Sequence, residues 1–127
     1  GPERRVVSPE AAAIVARMME QVPRADGGTA PAAQIAGYRV AGKTGTAWRV
    51  DPVTGRYIRG QNVVSFIGFA PADKPRFVTY VVLDKPYSNA GGGVTAAPVF
   101  HDIMSMALER FGVVPTGSKS PKLDLDW

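Results

Sequence analysis

The sequence predicts an α+β fold in which helices flank an antiparallel sheet. Three observations carry that prediction. Apolar residues recur at helical spacing near both ends of the chain and follow strand-like patterns in between. A short turn, Ala70 to Pro75, separates the second extended run from the third, which makes those two an antiparallel hairpin. Each helix has one apolar stripe, and a sheet face is the natural surface to cover it.

The elements follow in order as a helix, three strands and a helix. Ser8-Pro9-Glu10 opens the first helix. Ser8 can cap it, Pro9 fits the first helical position, and Glu10 complements the positive end of the dipole. Ile14, Val15, Met18, Met19 and Val22 then form its apolar face, and Pro23 stops it. The stretch Arg24 to Pro31 is rich in turn formers and reads as a loop. From Gln34 to Trp48 the β-prone Ile35, Tyr38, Val40, Thr44, Thr46 and Trp48 predict a strand with two unlike faces. Residues 49–61 form a polar excursion with turn signals at Asp51-Pro52 and Thr54-Gly55. Val63 to Phe69 is the second strand. Phe77 to Leu83 is the third, apolar on both faces, which suits a central strand and asks for a further neighbour. Lys85 to Gly93 is a loop. Thr95 is expected to cap the second helix, with Pro98 in its first turn and Gly112 at its end. Val99, Phe100, Ile103, Met104, Ala107, Leu108 and Phe111 give that helix a wide apolar face. The tail from Thr116 is expected to be mobile.

With 127 residues and 45% hydrophobic content, the chain suits one compact domain or a piece of a larger one. No apolar run approaches the length that spans a bilayer. There is no cysteine, so disulfides and thiolate metal sites are excluded. The one histidine, His101, has no second histidine to share a metal, and neither a metal nor a cofactor is expected. The net charge of +4 comes from scattered Lys and Arg without a basic run, so no nucleic-acid partner is expected.

The stretch Gly37 to Ala47 carries the chemistry, and it admits two readings. Gly37, Gly42, Lys43 and Thr44 match the phosphate-binding loop pattern of nucleotide hydrolases. Such a loop needs glycines that let backbone N–H groups curl around phosphate, and a helix starting at the Lys-Thr pair. Between the two glycines stand Tyr38, Arg39, Val40 and Ala41, which prefer extended backbone. Gly45, Thr46, Trp48, Val50 and Pro52 follow, and they oppose a helix. Alternatively, Lys43-Thr44-Gly45 is a K-T-G box on a strand. Lys43, Gly45 and Ala47 then point one way and Thr44 and Thr46 the other. Gly45 removes a side chain and lets a substrate lie against the backbone. An extended substrate could add to this edge as a strand. The Lys43 ammonium and the two hydroxyls would bind its carboxylate. Three residues match by chance often, so the box alone also fits a strand with an incidental exposed lysine.

The surrounding residues decide the matter. Lys43-Thr44-Gly45-Thr46-Ala47, the Phe69-Ala70-Pro71 turn with Pro75 beyond it, and Gly92-Gly93 before Ala97-Pro98-Val99-Phe100 sit at family-like distances. Over roughly Ser8 to Pro115 the chain resembles the C-terminal part of the transpeptidase domain of class B penicillin-binding proteins, most of all the cell-division group. On that resemblance 1–115 is the domain portion and 116–127 a flexible tail. The resemblance implies a five-stranded antiparallel sheet with helices on both sides, beside an all-helical lobe. It implies a D,D-transpeptidase that crosslinks septal peptidoglycan through a serine acyl-enzyme and is itself acylated by β-lactams. Lys43 and Thr46 would be catalytic, the backbone N–H of Thr46 forming half of the oxyanion hole. Lys43, Thr44, Gly45, Thr46 and Ala47 would bind substrate. Stem peptides, β-lactams and division-complex proteins would be the partners. The implied location is the outer face of the bacterial cytoplasmic membrane, with the anchor in an upstream segment.

The sequence departs from that family pattern at three places. None of Ser8, Ser65, Ser88, Ser105, Ser118 or Ser120 begins S-x-x-K or S-x-N. Tyr87-Ser88-Asn89 resembles a variant of the second motif, but it follows K-T-G instead of preceding it and reads as a turn. The chain is therefore expected to be the C-terminal portion of such an enzyme, with the nucleophile, first strands and anchor upstream, and to be inactive alone. A non-catalytic basic interaction module of the same shape is the other alternative. Arg49, Arg56 and Arg59 are expected on a solvated hairpin. Trp48 either shapes the cleft edge or packs on the sheet. His101, Asp102, Glu109 and Glu20 are expected to face solvent.

Overall fold

The computed structural model describes residues 4–87 and 90–117 together with Gly1 and Lys119. Helix α1 spans Pro9–Met19, strand β1 Ala41–Val50, strand β2 Tyr57–Ala70 and strand β3 Phe77–Asp84. A short helix α2, Gly92–Thr95, leads into the long helix α3, Ala97–Arg110. The strands form one antiparallel sheet in the order β1-β2-β3. This is the predicted α+β arrangement of three strands and two main helices.

Helix α1 begins as its local chemistry requires. Ser8 Oγ accepts the Ala11 N–H at 3.1 Å, and Pro9 occupies the first turn. The α-helix stops at Met19, short of the predicted Val22, because the chain tightens ahead of Pro23: the Gln21 and Val22 N–H groups bond Met18 and Met19 C=O, three residues back. Its apolar stripe is largely uncovered: Ile14, Val15 and Met18 are all exposed. Glu20, expected in solvent, is 1% exposed and pairs with Arg39. A residue that close to a helix end reads as solvated until the chain folds a cation against it.

The predicted first strand begins too early. Gly37 adopts φ +82°, and Tyr38 N–H bonds Ile35 C=O at 3.1 Å, so 35–38 is a tight turn. Ile35 and Val40 are β-prone, but they serve the core, where both are buried. The second strand is longer than expected, because the excursion is mostly hairpin. Asp51 Oδ1 accepts the N–H groups of Val53 and Thr54 at 2.8 and 3.1 Å, closing the turn. Those bonds hold its carboxyl below the usual range, Thr54 first. Strand register shifts between Trp48 and Val50.

Strand β3 is an edge strand in this structure, although its unbroken apolar sequence predicts a central one. Val81 is buried and Leu83 packs against the core, while Val78, Tyr80 and Val82 lie exposed on the face shared with Ile67. Thr95 does not cap α3. Its hydroxyl donates to Gly91 C=O at 3.1 Å within the preceding turn, and Ala96 precedes α3 without a side-chain cap. The buried stripe of α3 is narrower than predicted, comprising Ala97, Phe100, Met104 and Leu108, with Val99, Ile103 and Phe111 exposed. His101 is half-buried and bonds through Nδ1 to Gln34 C=O. Thr116 and Gly117 bond back to Asp73 and Gly37; the rest of the predicted tail apart from Lys119 lies outside the described residues, as do Ser88 and Asn89 of the predicted 87–89 turn.

The core lies between the sheet and α3, centred on Phe66 and Phe100, whose rings meet edge-on at 4.8 Å. Both are 0% exposed. Phe100→Ala is expected to destabilise the fold by about 3–5 kcal/mol through lost burial and the cavity left behind. Chemical denaturation checks this, and a loss under about 1 kcal/mol would show that the sheet closes over the void.

Candidate active site

The K-T-G residues lie on the free edge of the sheet. Strand β1 pairs only with β2 among the described residues, so its outer backbone groups face outward. Lys43 sits opposite Ile67, Thr44 opposite Phe66, Gly45 opposite Ser65, and Thr46 opposite Val64. Lys43, Gly45 and Ala47 therefore share one face, and Thr44 and Thr46 the other. This extended geometry contradicts the phosphate-loop alternative for Gly37 to Thr44. No helix begins at Lys43 or Thr44, and the Gly37 turn closes before the strand starts.

Strand alternation separates Lys43 from Thr44, yet the long side chain brings their polar ends together. Lys43 Nζ donates to Thr44 C=O at 3.0 Å and lies 3.5 Å from Thr44 Oγ1. The ammonium curls over the strand edge. It is exposed, and no carboxylate pairs with it among the described residues. An ammonium and a hydroxyl at one open edge form a donor set suited to an incoming carboxylate. Thr46 is exposed one pleat further along, on the same face as Thr44.

Gly45 has a packing reason that the sequence reading did not contain. A Cβ there would lie 2.4 Å from Ser65 Oγ, so the space above it is already filled by the neighbouring strand. Behind the edge, the glycine run 91–93 crosses close to β2. A Cβ at Gly92 would sit 2.0 Å from Ser65 C=O, and one at Gly93 2.0 Å from Thr29 C=O. Gly91 approaches Thr46, whose Oγ1 would be 3.8 Å from an added Cβ. These glycines pack close behind the candidate edge. Consecutive glycines ahead of a helix were the available signal, since backbone meets backbone only where side chains are absent.

Trp48 is half-exposed on the Thr44–Thr46 face, beyond the K-T-G box. Arg49 is not merely solvated: its Nε lies 3.0 Å from Asp84 Oδ1 and its Nη1 2.9 Å from Gln61 Oε1, tying β1 to both other strands. Arg56 and Arg59 are exposed on the hairpin as expected. A cavity of about 380 Å³ lies beside α1, lined by Val7, Ala11, Ala12, Val15, Ala16, Met19 and Phe69. None of those side chains ionises or donates, so the cavity offers no acid, base or nucleophile, and the candidate groups are those along β1.

A family model described as the penicillin-binding protein transpeptidase domain matches residues 2–105. The chain is 41% identical over 128 residues to penicillin-binding protein PbpB of Mycolicibacterium smegmatis, an alignment covering 95% of this chain and 20% of that protein. It is 44% identical over 114 residues to the probable peptidoglycan D,D-transpeptidase PenA of Neisseria flavescens, covering 89% of this chain and 28% of that one. Among solved structures, penicillin-binding protein 3 of Mycobacterium tuberculosis complexed with ampicillin superimposes with a TM-score of 0.81 at 35% identity. That match covers 100% of this chain and 31% of the solved one. The chain thus spans between a fifth and a third of the proteins it resembles.

Proposed function

The chain belongs to the penicillin-binding protein transpeptidase family, and from that premise we propose that it supplies the K-T-G wall of a peptidoglycan D,D-transpeptidase. The observation that carries this is the exposed Lys43 ammonium, without a carboxylate partner among the described residues and 3.5 Å from Thr44 Oγ1 on a free strand edge. An extended stem peptide or a β-lactam lies along β1. Its carboxylate takes charge-assisted bonds from Lys43 and hydroxyl bonds from Thr44 and Thr46. The Thr46 backbone N–H serves as a donor to the negative charge that develops on the attacked carbonyl oxygen, a role in which one lost bond costs on the order of 10²–10³ in rate. Ala47 adds little bulk to that stretch of edge, and Gly45 leaves room for the Ser65 hydroxyl of β2 beside it.

The serine that attacks is not in this sequence, which has no S-x-x-K. Residues outside 1–127 supply it, together with the S-x-N segment. The enzyme works at the outer face of the bacterial cytoplasmic membrane and builds septal wall, with division proteins as partners. No described helix of the chain is itself long and apolar enough to cross a membrane.

A labelled penicillin tests this reading. The complete gene product is expected to form a covalent adduct that survives denaturation, and chain 1–127 alone is expected to form none. An adduct on the isolated chain would overturn the assignment of the nucleophile elsewhere. Absence of an adduct on the complete product would favour a non-catalytic interaction module.

A further inference from the structure

Glu20 is the only charged side chain that is fully buried among the described residues, at 1% exposure. Nothing about α1 itself explains it. Glu20 stands at the C-terminal end of the helix, where the macrodipole disfavours a negative charge. Burial disfavours that charge again unless it is paired and hydrogen-bonded. Its partner is Arg39, whose Nε donates to Oε2 at 2.8 Å and whose Nη2 donates to Oε1 at 2.6 Å. The pair is bidentate, so it fixes orientation as well as distance. Those hydrogen bonds, and then the Glu20 charge itself, hold the Arg39 guanidinium's pKa above its ordinary value, against the opposing effect of burial.

Arg39 joins three segments. Its side chain grips the end of α1. Its C=O accepts the Ala72 N–H at 2.8 Å, from the turn between β2 and β3. Its own position is the lead into β1, four residues before Lys43. The path from Arg39 to Lys43 has no slack. Val40, Ala41 and Gly42 are buried, Ala41 pairs with Phe69 and Gly42 with Gly68, and a Cβ on Gly42 would lie 2.4 Å from the Phe66 ring. The lead is also held from the other side, where Tyr38 Oη donates to Val113 C=O and Gly117 N–H bonds Gly37 C=O. Beyond this double clamp, the Lys43 side chain contacts only its neighbour Thr44 through hydrogen bonds. The strand therefore sets where the ammonium sits, and the clamp sets the strand.

We propose that Glu20 and Arg39 are a positioning pair for the K-T-G wall, fixing the exit of β1 from the body of the fold and through it the place of the Lys43 ammonium. This rests on the reading of Lys43 as a catalytic as well as a substrate-binding group. Neither residue touches the substrate. A planar guanidinium seated on a buried carboxylate has one favoured geometry, and ion pairs of this kind are best attested as devices that set register. Displacement of a reacting group by about 1 Å can cost on the order of 10²-fold in rate, so a small shift at the clamp is read at the site.

The test is made on the complete gene product with a labelled penicillin, following adduct formation over time at several drug concentrations. Glu20→Gln, Arg39→Lys, Arg39→Gln and the double variant Glu20→Gln/Arg39→Gln are compared with the parent. The quantity read is the first-order acylation rate constant at saturating drug. Misfolded molecules lower the final amount of adduct and leave that constant untouched. Glu20→Gln and Arg39→Gln are each expected to lower it roughly tenfold. The double variant is expected to lose no more than either single change, because both remove the same clamp. Arg39→Lys, which keeps the charge and loses the fork, is expected to fall between. Glu20→Asp keeps the charge with a shorter reach, and should show the intermediate effect if the stronger changes prevent folding. An unchanged rate constant in variants with lower melting temperatures would make the pair purely structural and overturn the proposal. Multiplying losses in the double variant would also overturn it, since the residues would then act separately. A parent that forms no adduct would instead refute the transpeptidase reading itself.

Discussion

Replacing Lys43 with alanine in the complete gene product is expected to slow acylation by a labelled penicillin by about 10²-fold at low drug concentration. The magnitude follows from what the ammonium can donate. A hydrogen bond to a charged group contributes about 1.5–3 kcal/mol, and each 1.4 kcal/mol is a factor of ten. Nothing else on the β1 edge replaces that charge, because Arg49, the next cation along the strand, is engaged by Asp84 and Gln61. The two kinetic parameters should divide the loss. Carboxylate binding is present before and during reaction, so its removal raises the half-saturating concentration. Any influence of the ammonium on the attacking serine appears instead in the saturated rate constant. Lys43→Arg should recover part of the binding, since charge is kept while the compact ammonium becomes a planar fork. An acylation rate unchanged in Lys43→Ala would remove this residue from the site.

Much of this architecture could be read from sequence because it is made by neighbours in the chain. Ser8, Pro9 and Glu10 start α1 through contacts within one turn, and the turn after Phe69 folds β2 onto β3. Alternation along Lys43, Thr44, Gly45 and Thr46 is a property of extended backbone, so the division of faces was legible too. What was missed depends on segments far apart in sequence. The burial of Glu20 depends on Arg39, which no local pattern brings to it. The late start of the first strand turns on Gly37, whose positive φ makes a corner out of residues that individually favour strand. Thr95 has the right chemistry for a cap, but it is the last residue of α2, and Ala96 takes the position that precedes α3. The exposed stripe on α1 and the bare face of β3 are a related case. Periodicity reports which residues seek burial, and among the described residues Ile14, Met18, Val78 and Tyr80 do not find it. The proposed roles at the site were reached through motif and resemblance, and their support is the edge geometry around Lys43.

Gly92→Ala is expected to destabilise the protein by at least about 3 kcal/mol, the upper end of ordinary overpacking penalties. Helix propensity alone predicts the opposite sign, since alanine in place of a helical glycine gains about 1 kcal/mol. The packing decides. The added methyl would lie 2.0 Å from Ser65 C=O, 2.8 Å from the Ser65 carbonyl carbon and 3.1 Å from its nitrogen, all backbone atoms. Ser65 cannot retreat, because it is on the central strand, paired with Gly45 on one side and Val82 on the other. Helix α2 cannot simply slide, because Gly93 beside it is packed to the same closeness against Thr29 C=O. The strain therefore falls on β2 at the residue that backs Gly45, and acylation should fall together with stability. Gly91→Ala provides the contrast at the adjacent position. Its methyl would meet only Thr46 Oγ1, at an ordinary 3.8 Å, and its φ of −69° suits alanine. That variant should stay within about 0.5 kcal/mol of the parent, as surface substitutions usually do. Chemical denaturation of both variants separates the two accounts. A Gly92→Ala protein as stable as its parent would mean that α2 does not rest on the sheet backbone, and the wall behind Thr46 would have to be redrawn.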